Sequence, residues 1–234
     1  MCGRYSQSHS LKALEQAFKA QASAEFSSAY QPSYNIAPSQ PVAVVRCGEQ
    51  GRELVNLRWG LIPSWMKELP KAAPLINARA ETIASKPAFR AAYKRRRCLI
   101  PADGFYEWQQ QEGGKQPYYI HLSEHRLFAF AGLWEHWGEG DQAIESCAII
   151  TTEANPAMQA IHQRMPVILS AMNYGRWLGE AEGELEGLLQ PYLVQPYLLQ
   201  RSGSREDSEA LEMYPVSTYV NSPKHNDARC VEAV

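Results

Sequence analysis

With 234 residues and a formal net charge of −2, the chain has no global attraction for polyanions, so any nucleic-acid contact has to be a local basic patch. Hydrophobic residues make up 45% and charged residues 21%, the balance of a soluble globular protein. Five widely spaced cysteines (Cys2, Cys47, Cys98, Cys147, Cys230) with no C-x-x-C argue against a zinc ribbon or a thioredoxin-type motif.

No apolar run reaches the roughly 18–20 residues needed to cross a bilayer, and the N-terminus has no apolar stretch of signal-peptide length. A cytoplasmic protein with reduced thiols and no membrane contact is expected. Along the chain, the spacing of Leu11, Leu14 and Phe18 predicts a helix beginning near Ser8 or Ser10. Residues Gln21 to Pro41 show no sustained period and read as a loop. Pro41 to Cys47 and Leu54 to Leu61 read as a strand pair turned by Gly48-Glu49-Gln50-Gly51. Pro63, Pro70 and Pro74 keep the chain open as far as Leu75.

Ser85 reads as an N-cap, with Pro87 in the first turn of a helix to about Arg95. Successive strands follow at Cys98–Ala102, Phe105–Gln109, Pro117–Leu122 and Leu127–Trp134, with Gly113-Gly114 closing a hairpin. Ser146–Thr152 is another strand. Asn155-Pro156 pairs an N-cap with a proline at the first helical position. Met165–Leu169 returns as strand, one or two helices fall between Ala171 and Gln190, and Ser202–Glu209 reads as an exposed loop. Strands that follow one another without intervening helices imply a single α+β domain over 1–234. Its expected frame is a curled, largely antiparallel, barrel-like β-sheet with a few peripheral helices, closed by helices and strands over 170–234.

Cys2 carries the first chemical signal. An initiator methionine is generally removed before a small residue, which would leave a 1,2-aminothiol whose amine titrates near about 8 and whose thiol near about 8.5. The amine condenses with an aldehyde as an imine, and the thiol can close onto that imine as a thiazolidine. With Met1 attached the nitrogen is an amide and no ring forms. The bland alternative is a buried, inert cysteine.

Further motifs are spaced along the chain: Tyr34-Asn35-Ile36-Ala37-Pro38, Arg58-Trp59-Gly60-Leu61-Ile62-Pro63-Ser64-Trp65 and Ile76-Asn77-Ala78-Arg79-Ala80-Glu81-Thr82. Cys98-Leu99-Ile100-Pro101-Ala102-Asp103-Gly104-Phe105-Tyr106-Glu107-Trp108, Thr151-Thr152-Glu153-Ala154 and Ile161-His162-Gln163-Arg164-Met165-Pro166 complete the set. With Met1-Cys2-Gly3-Arg4-Tyr5, these resemble the SOS response-associated peptidase family, the abasic-site processing proteins. The motif-bearing part runs from about 2 to 169, and beyond Leu169 the similarity loosens.

The resemblance implies a covalent crosslink between Cys2 and an abasic site in single-stranded DNA, during the response to DNA damage. It also implies self-processing that uncovers Cys2, with Cys2, Glu107 and His162 resembling a thiol-peptidase constellation. Carried over residue by residue, the family's nucleophile falls on Cys2, its Asn on Asn35, its Glu on Glu107 and its His on His162. A histidine suits the opening of the closed sugar to its aldehyde. A carboxylate can shuttle protons during imine formation, and Asn35 can orient the amine. The bland readings are a solvent-facing carboxylate on a strand for Glu107, a helix-end dipole partner for His162 and a turn residue for Asn35.

Arg4, Asn77, Arg79 and Arg164 are the suggested DNA contacts, with Trp65 as the stacking candidate. Trp59, inside a strand, reads as core. Lys94-Arg95-Arg96-Arg97 reads as a solvated helix end. His121 and His125 have zinc-like spacing but no third ligand, so neither a metal nor a cofactor is expected. The expected partner is abasic single-stranded DNA, bound by a monomer that is cytoplasmic and DNA-associated.

Two other classes compete. An N-terminal-nucleophile amidotransferase or glutaminase also opens Met-Cys-Gly, but its R-x-x-H-R-G and N-G-E segments do not occur here. A non-catalytic single-stranded DNA-binding module would use Arg4, Arg79 and Trp65 and leave Cys2 idle.

Overall fold

A computed structural model describes residues 2–70, 72–192 and 210–234. In chain order the elements are β1 (Tyr5–Gln7), α1 (Leu11–Phe18), β2 (Gln21–Ala22), α2 (Ala24–Ala29), β3 (Ser33–Ile36), β4 (Pro41–Gly48) and β5 (Gly51–Trp59). They continue with β6 (Asn77–Arg79), α3 (Arg90–Arg95), β7 (Arg97–Ala102), β8 (Gly104–Gln111), β9 (Gly114–Leu122), β10 (Phe128–Trp137) and β11 (Ile144–Glu153). The last are α4 (Pro156–Gln159), β12 (Arg164–Pro166), β13 (Ile168–Leu169), α5 (Tyr174–Leu178) and β14 (Leu211–Pro215).

Five strands close a barrel. β5, β4, β7, β10 and β11 pair antiparallel in that order, and β11 returns to β5 through Ser146↔Arg58 and Cys147↔Trp59. An odd number of strands cannot alternate in direction all the way round, so one seam has to be parallel. The β5–β11 pair is that seam. Where β5 leaves, β6 takes its place beside β11, pairing Asn77 with Ile149 and Arg79 with Thr151. A second, wholly antiparallel sheet runs β14-β9-β8-β1-β3.

Period-2 alternation sorts the barrel strands into two buried layers. Val44, Cys98, Ile100, Phe128, Phe130, Cys147 and Ile149 pack with Tyr5, Phe105 and Ile120 of the second sheet. Their alternates Val45, Leu99, Ala129, Ala131, Ala148 and Ile150 pack under α1, α3 and α5. Both faces are dry, which is why these strands read as nearly continuous apolar runs. The second sheet is covered too: Tyr106 and Tyr119 lie under Val216, Val220 and Cys230.

The α+β class, the antiparallel barrel and the single domain agree with the reading of the sequence, as do the cap of Ser10 on α1 and the Asn155-Pro156 start of α4. Three local expectations need correction. Residues 21–41 are not all loop but hold β2, α2 and β3; these are too short to show a period, and Phe26 is the buried residue of α2. Ser85 is not an N-cap: its hydroxyl donates to Thr82 O, and α3 starts only at Arg90 after a turn through Pro87. The strand at 165–169 is split because it wedges between β10 and β11 where they splay apart. Val167 N donates to Ile150 O while Val167 O accepts from Ala131 N. The Ser202–Glu209 expectation lies outside the described residues. Among the described residues no helix is long and apolar enough to cross a membrane.

Candidate functional site

β1 and β8 together bring Cys2 to its surroundings. Their register pairs Tyr5 with Phe105 and Ser6 with Gly104, and Tyr106 N donates to Arg4 O at 3.0 Å, which carries the pairing toward the N-terminus. Continued in the antiparallel sense, this register sets Gly3 opposite Glu107 and Cys2 one residue further along, within electrostatic reach of the Glu107 carboxylate. Cys2 is fully buried, and Asn77 Nδ2 of β6 donates to its carbonyl at 2.8 Å. Burial pushes the Cys2 thiol up and the Glu107 carboxylate pushes it further, against the smaller pull of the Arg4 backbone N–H.

Glu107 is itself buried, yet with Trp108, Lys115, His162 and Asn221 it lines an open cleft of about 430 Å³. His162 sits just past α4, in the turn leading to β12. Arg164 N donates to His162 Nδ1 at 3.0 Å. The same Nδ1 also lies 3.1 Å from Arg164 O, so the Arg164 backbone fixes the ring's orientation from both its N–H and its carbonyl side. A carboxylate and an imidazole in one cleft make a proton-transfer pair.

Arg4 and Asn35 are engaged elsewhere. Arg4 Nη1 donates to Asn35 Oδ1 and to Val220 O, both at 2.8 Å, and its guanidinium lies 5.9 Å from the Trp108 ring centroid. Asn35 Nδ2 faces three carbonyls, Val220 at 3.1 Å, Ser222 at 3.0 Å and His225 at 2.7 Å. Together these two residues pin the segment 218–226, whose Asn221 accepts from Trp108 Nε1 at 2.8 Å and forms one wall of the cleft. Asn35 is thereby an anchor for that wall.

The other suggested contacts divide in two. Arg164 is locked in a bidentate pair with Glu81 at 3.0 and 3.1 Å and also donates to Thr151 O. Arg79 is exposed, with no side-chain hydrogen bond or ion pair among the described residues. Trp65 is 63% exposed. Trp59 is fully buried against Tyr5, with its indole donating to Ile76 O. In the basic run, Arg96 pairs with Glu135 and Arg97 donates to Trp177 O, so half of it is structural. Lys115 and Asn221 carried no sequence signal as site residues, whereas Glu81 stands inside the Asn77 motif without having been singled out. Lys115 lies just past the Gly113-Gly114 turn, and a cation opposite the Glu107 strand could have been suspected there.

The family model described as SOS response associated peptidase matches residues 1–223. This chain belongs to that family. Among curated relatives of this SOS response associated peptidase family member, the abasic site processing protein YoaM of Bacillus subtilis is 45% identical over 210 residues, covering 87% of this chain and 86% of that one. YoqW of Bacillus subtilis, also named an abasic site processing protein, is 43% identical, covering 87% of each. The crystal structure of a Bacteroides thetaiotaomicron protein superposes with a TM-score of 0.81 at 26% identity, covering 100% of both chains. The family motifs converge from distant parts of the fold: the Asn77 motif on β6, the Glu107 motif on β7 and β8, and the His162 motif between α4 and β12.

Proposed function

We propose that the processed chain, beginning at Cys2, forms a thiazolidine with an abasic site in single-stranded DNA. The observation that supports this reading is the buried Cys2, its carbonyl held by Asn77, within electrostatic reach of a Glu107 that lines one cleft with His162. The names of the Bacillus relatives support the lesion as substrate.

In this reading His162 relays a proton from the C1′ hydroxyl to the sugar ring oxygen as the C1′–O4′ bond breaks and the aldehyde forms. The α-amine of Cys2 adds to C1′, and Glu107 delivers a proton to the departing hydroxyl, so one water leaves as the imine forms. The thiol then adds across the C=N bond, sulfur to C1′ and hydrogen to nitrogen. The amine adds first because only a nitrogen can form the imine, and the thiol closes the ring onto it. Peptidase chemistry enters as the cleavage that frees Cys2. Exposed Arg79, Lys115 and Trp65 are the contacts for the flanking strand, by phosphate pairing and base stacking.

The test is an abasic single-stranded oligonucleotide incubated with wild type and with Cys2→Ala, read on a denaturing gel and by intact mass. The expected adduct has the mass of the chain without Met1 plus the oligonucleotide minus one water. Cys2→Ala should give no adduct while keeping reversible binding. An adduct that retains Met1, or one formed by Cys2→Ala, would refute the mechanism.

A further inference from the structure

A buried carboxylate outside the cleft ties together the two strands that the reaction needs. Asp103 is 1% exposed and lies between β7 and β8, four residues before Glu107. Its Oδ1 accepts from Ser6 Oγ at 2.5 Å, and Tyr119 OH lies 3.4 Å from the same oxygen. Its Oδ2 takes Ser8 N, Ser8 Oγ at 2.8 Å and His9 Nδ1 at 3.0 Å. Tyr119 OH also reaches Ser6 Oγ at 2.9 Å. Every donor from the N-terminal segment comes from residues 6–9, the stretch immediately following Cys2-Gly3-Arg4-Tyr5.

We propose that Asp103 is a positioning residue for the crosslinking reaction: it fixes the register of β1 on β8 and thereby the placement of Cys2 against Glu107. This rests on the function proposed above. β1 is only three residues long and pairs with β8 at two positions, Tyr5↔Phe105 and Ser6↔Gly104. A strand that short has little ladder to hold its register. A slip of one residue would carry Cys2 about 3.3 Å along β8 and turn its side chain to the other face of the sheet. The carboxylate prevents the slip by gathering donors from β1 (Ser6) and from the two residues just past its end (Ser8 and His9), from an anchor whose own position is fixed at the start of β8. Asp103 N also donates to Ser6 O at 3.0 Å, so backbone and side chain of one residue grip the same strand. Hydrogen bonds to an ionised acceptor are the strong kind.

Asp103→Asn keeps the shape and removes the charge. Asp103→Ala removes the anchor altogether and leaves buried donors unpaired, so the milder variant is run beside it at a temperature where both wild type and Asp103→Asn are folded. Crosslinking rates are measured against concentration of an abasic single-stranded oligonucleotide, together with the reversible affinity for the same strand carrying an intact base.

The expected result for Asp103→Asn is a maximal rate lowered about 10- to 100-fold, the penalty of a misplaced nucleophile, with the half-saturating concentration and the intact-strand affinity within about twofold of wild type. A role in folding alone would lower the unfolding midpoint and leave the maximal rate of folded protein unchanged. That outcome overturns the inference, as does a loss confined to the half-saturating concentration. If wild type itself forms no adduct, the proposed function fails first and the variants are not needed to show it.

Discussion

Asn35 shows how far the chemistry of a single residue depends on partners remote in sequence. The amide that could have steered an amine instead collects three carbonyls from 218–226 and the guanidinium of Arg4. Replacing it with alanine leaves buried acceptors unpaired, and Asn35→Ala should lower stability by about 2–4 kcal/mol, read as a shift in the urea midpoint. Hydrogen exchange in 218–226 should accelerate in the same variant.

The arginines make a sharper contrast. Arg164 is neutralised by Glu81, whereas Arg79 is exposed. Arg79→Ala should therefore reduce the slope of log affinity against log salt for single-stranded DNA by about 0.7, the contribution of one phosphate contact, while Arg164→Ala leaves the slope unchanged. Equal slopes for both variants would remove Arg79 from the interface. Residue types at this site were legible because Cys2, Glu107 and His162 sit inside distinctive motifs. The roles of Arg4, Asn35 and Arg164 were not, since their partners stand 31, 83 and up to 216 residues away.

At the scale of elements, β1 and β8 form the working pair, and both their spacing and their acid sensitivity follow from Gly104 and Asp103. A Cβ on Gly104 would lie 2.2 Å from Tyr119 Cζ, so Gly104→Ala must displace the ring that touches Ser6. The cost should be about 1–3 kcal/mol, seen as a lowered thermal midpoint. Burial alone would push the Asp103 carboxyl up, but hydrogen bonds from His9, Ser6 and Ser8 outweigh it and hold it below its ordinary 3.8. The folded chain thus binds this proton more weakly than the unfolded chain does. The associated stability is complete above about pH 3.9 and is lost as pH falls from there through the folded value. Urea midpoints at about pH 5 and about pH 3 should consequently differ less for Asp103→Asn than for wild type. Strand content was legible from runs of alternating or continuous apolar residues. The three short elements at 21–36 escaped because two to six residues define no period, and α3 began late because Pro87 sits in a preceding turn and not in the helix.

For the whole molecule, the decisive event is closure of the barrel at β5–β11, and nothing in local periodicity announces it. Arg58 and Ser146 meet there only because five strands leave one parallel seam. Trp59 fills that seam, buried on all sides and bonded to Ile76 O. Trp59→Ala should cost about 3–5 kcal/mol, the penalty of a large buried aromatic, measurable by urea unfolding.

The grip of Arg4 and Asn35 on 218–226 also orders events during synthesis. Translation delivers Arg4 first and Val220, in the segment carrying Asn221, 216 positions afterwards. At about 5–20 residues per second the interval is roughly 10–40 s. Until that segment has been made, Arg4 and Asn35 have no wall to hold, so the cleft beside Glu107 is complete only after residues 218–226 have emerged.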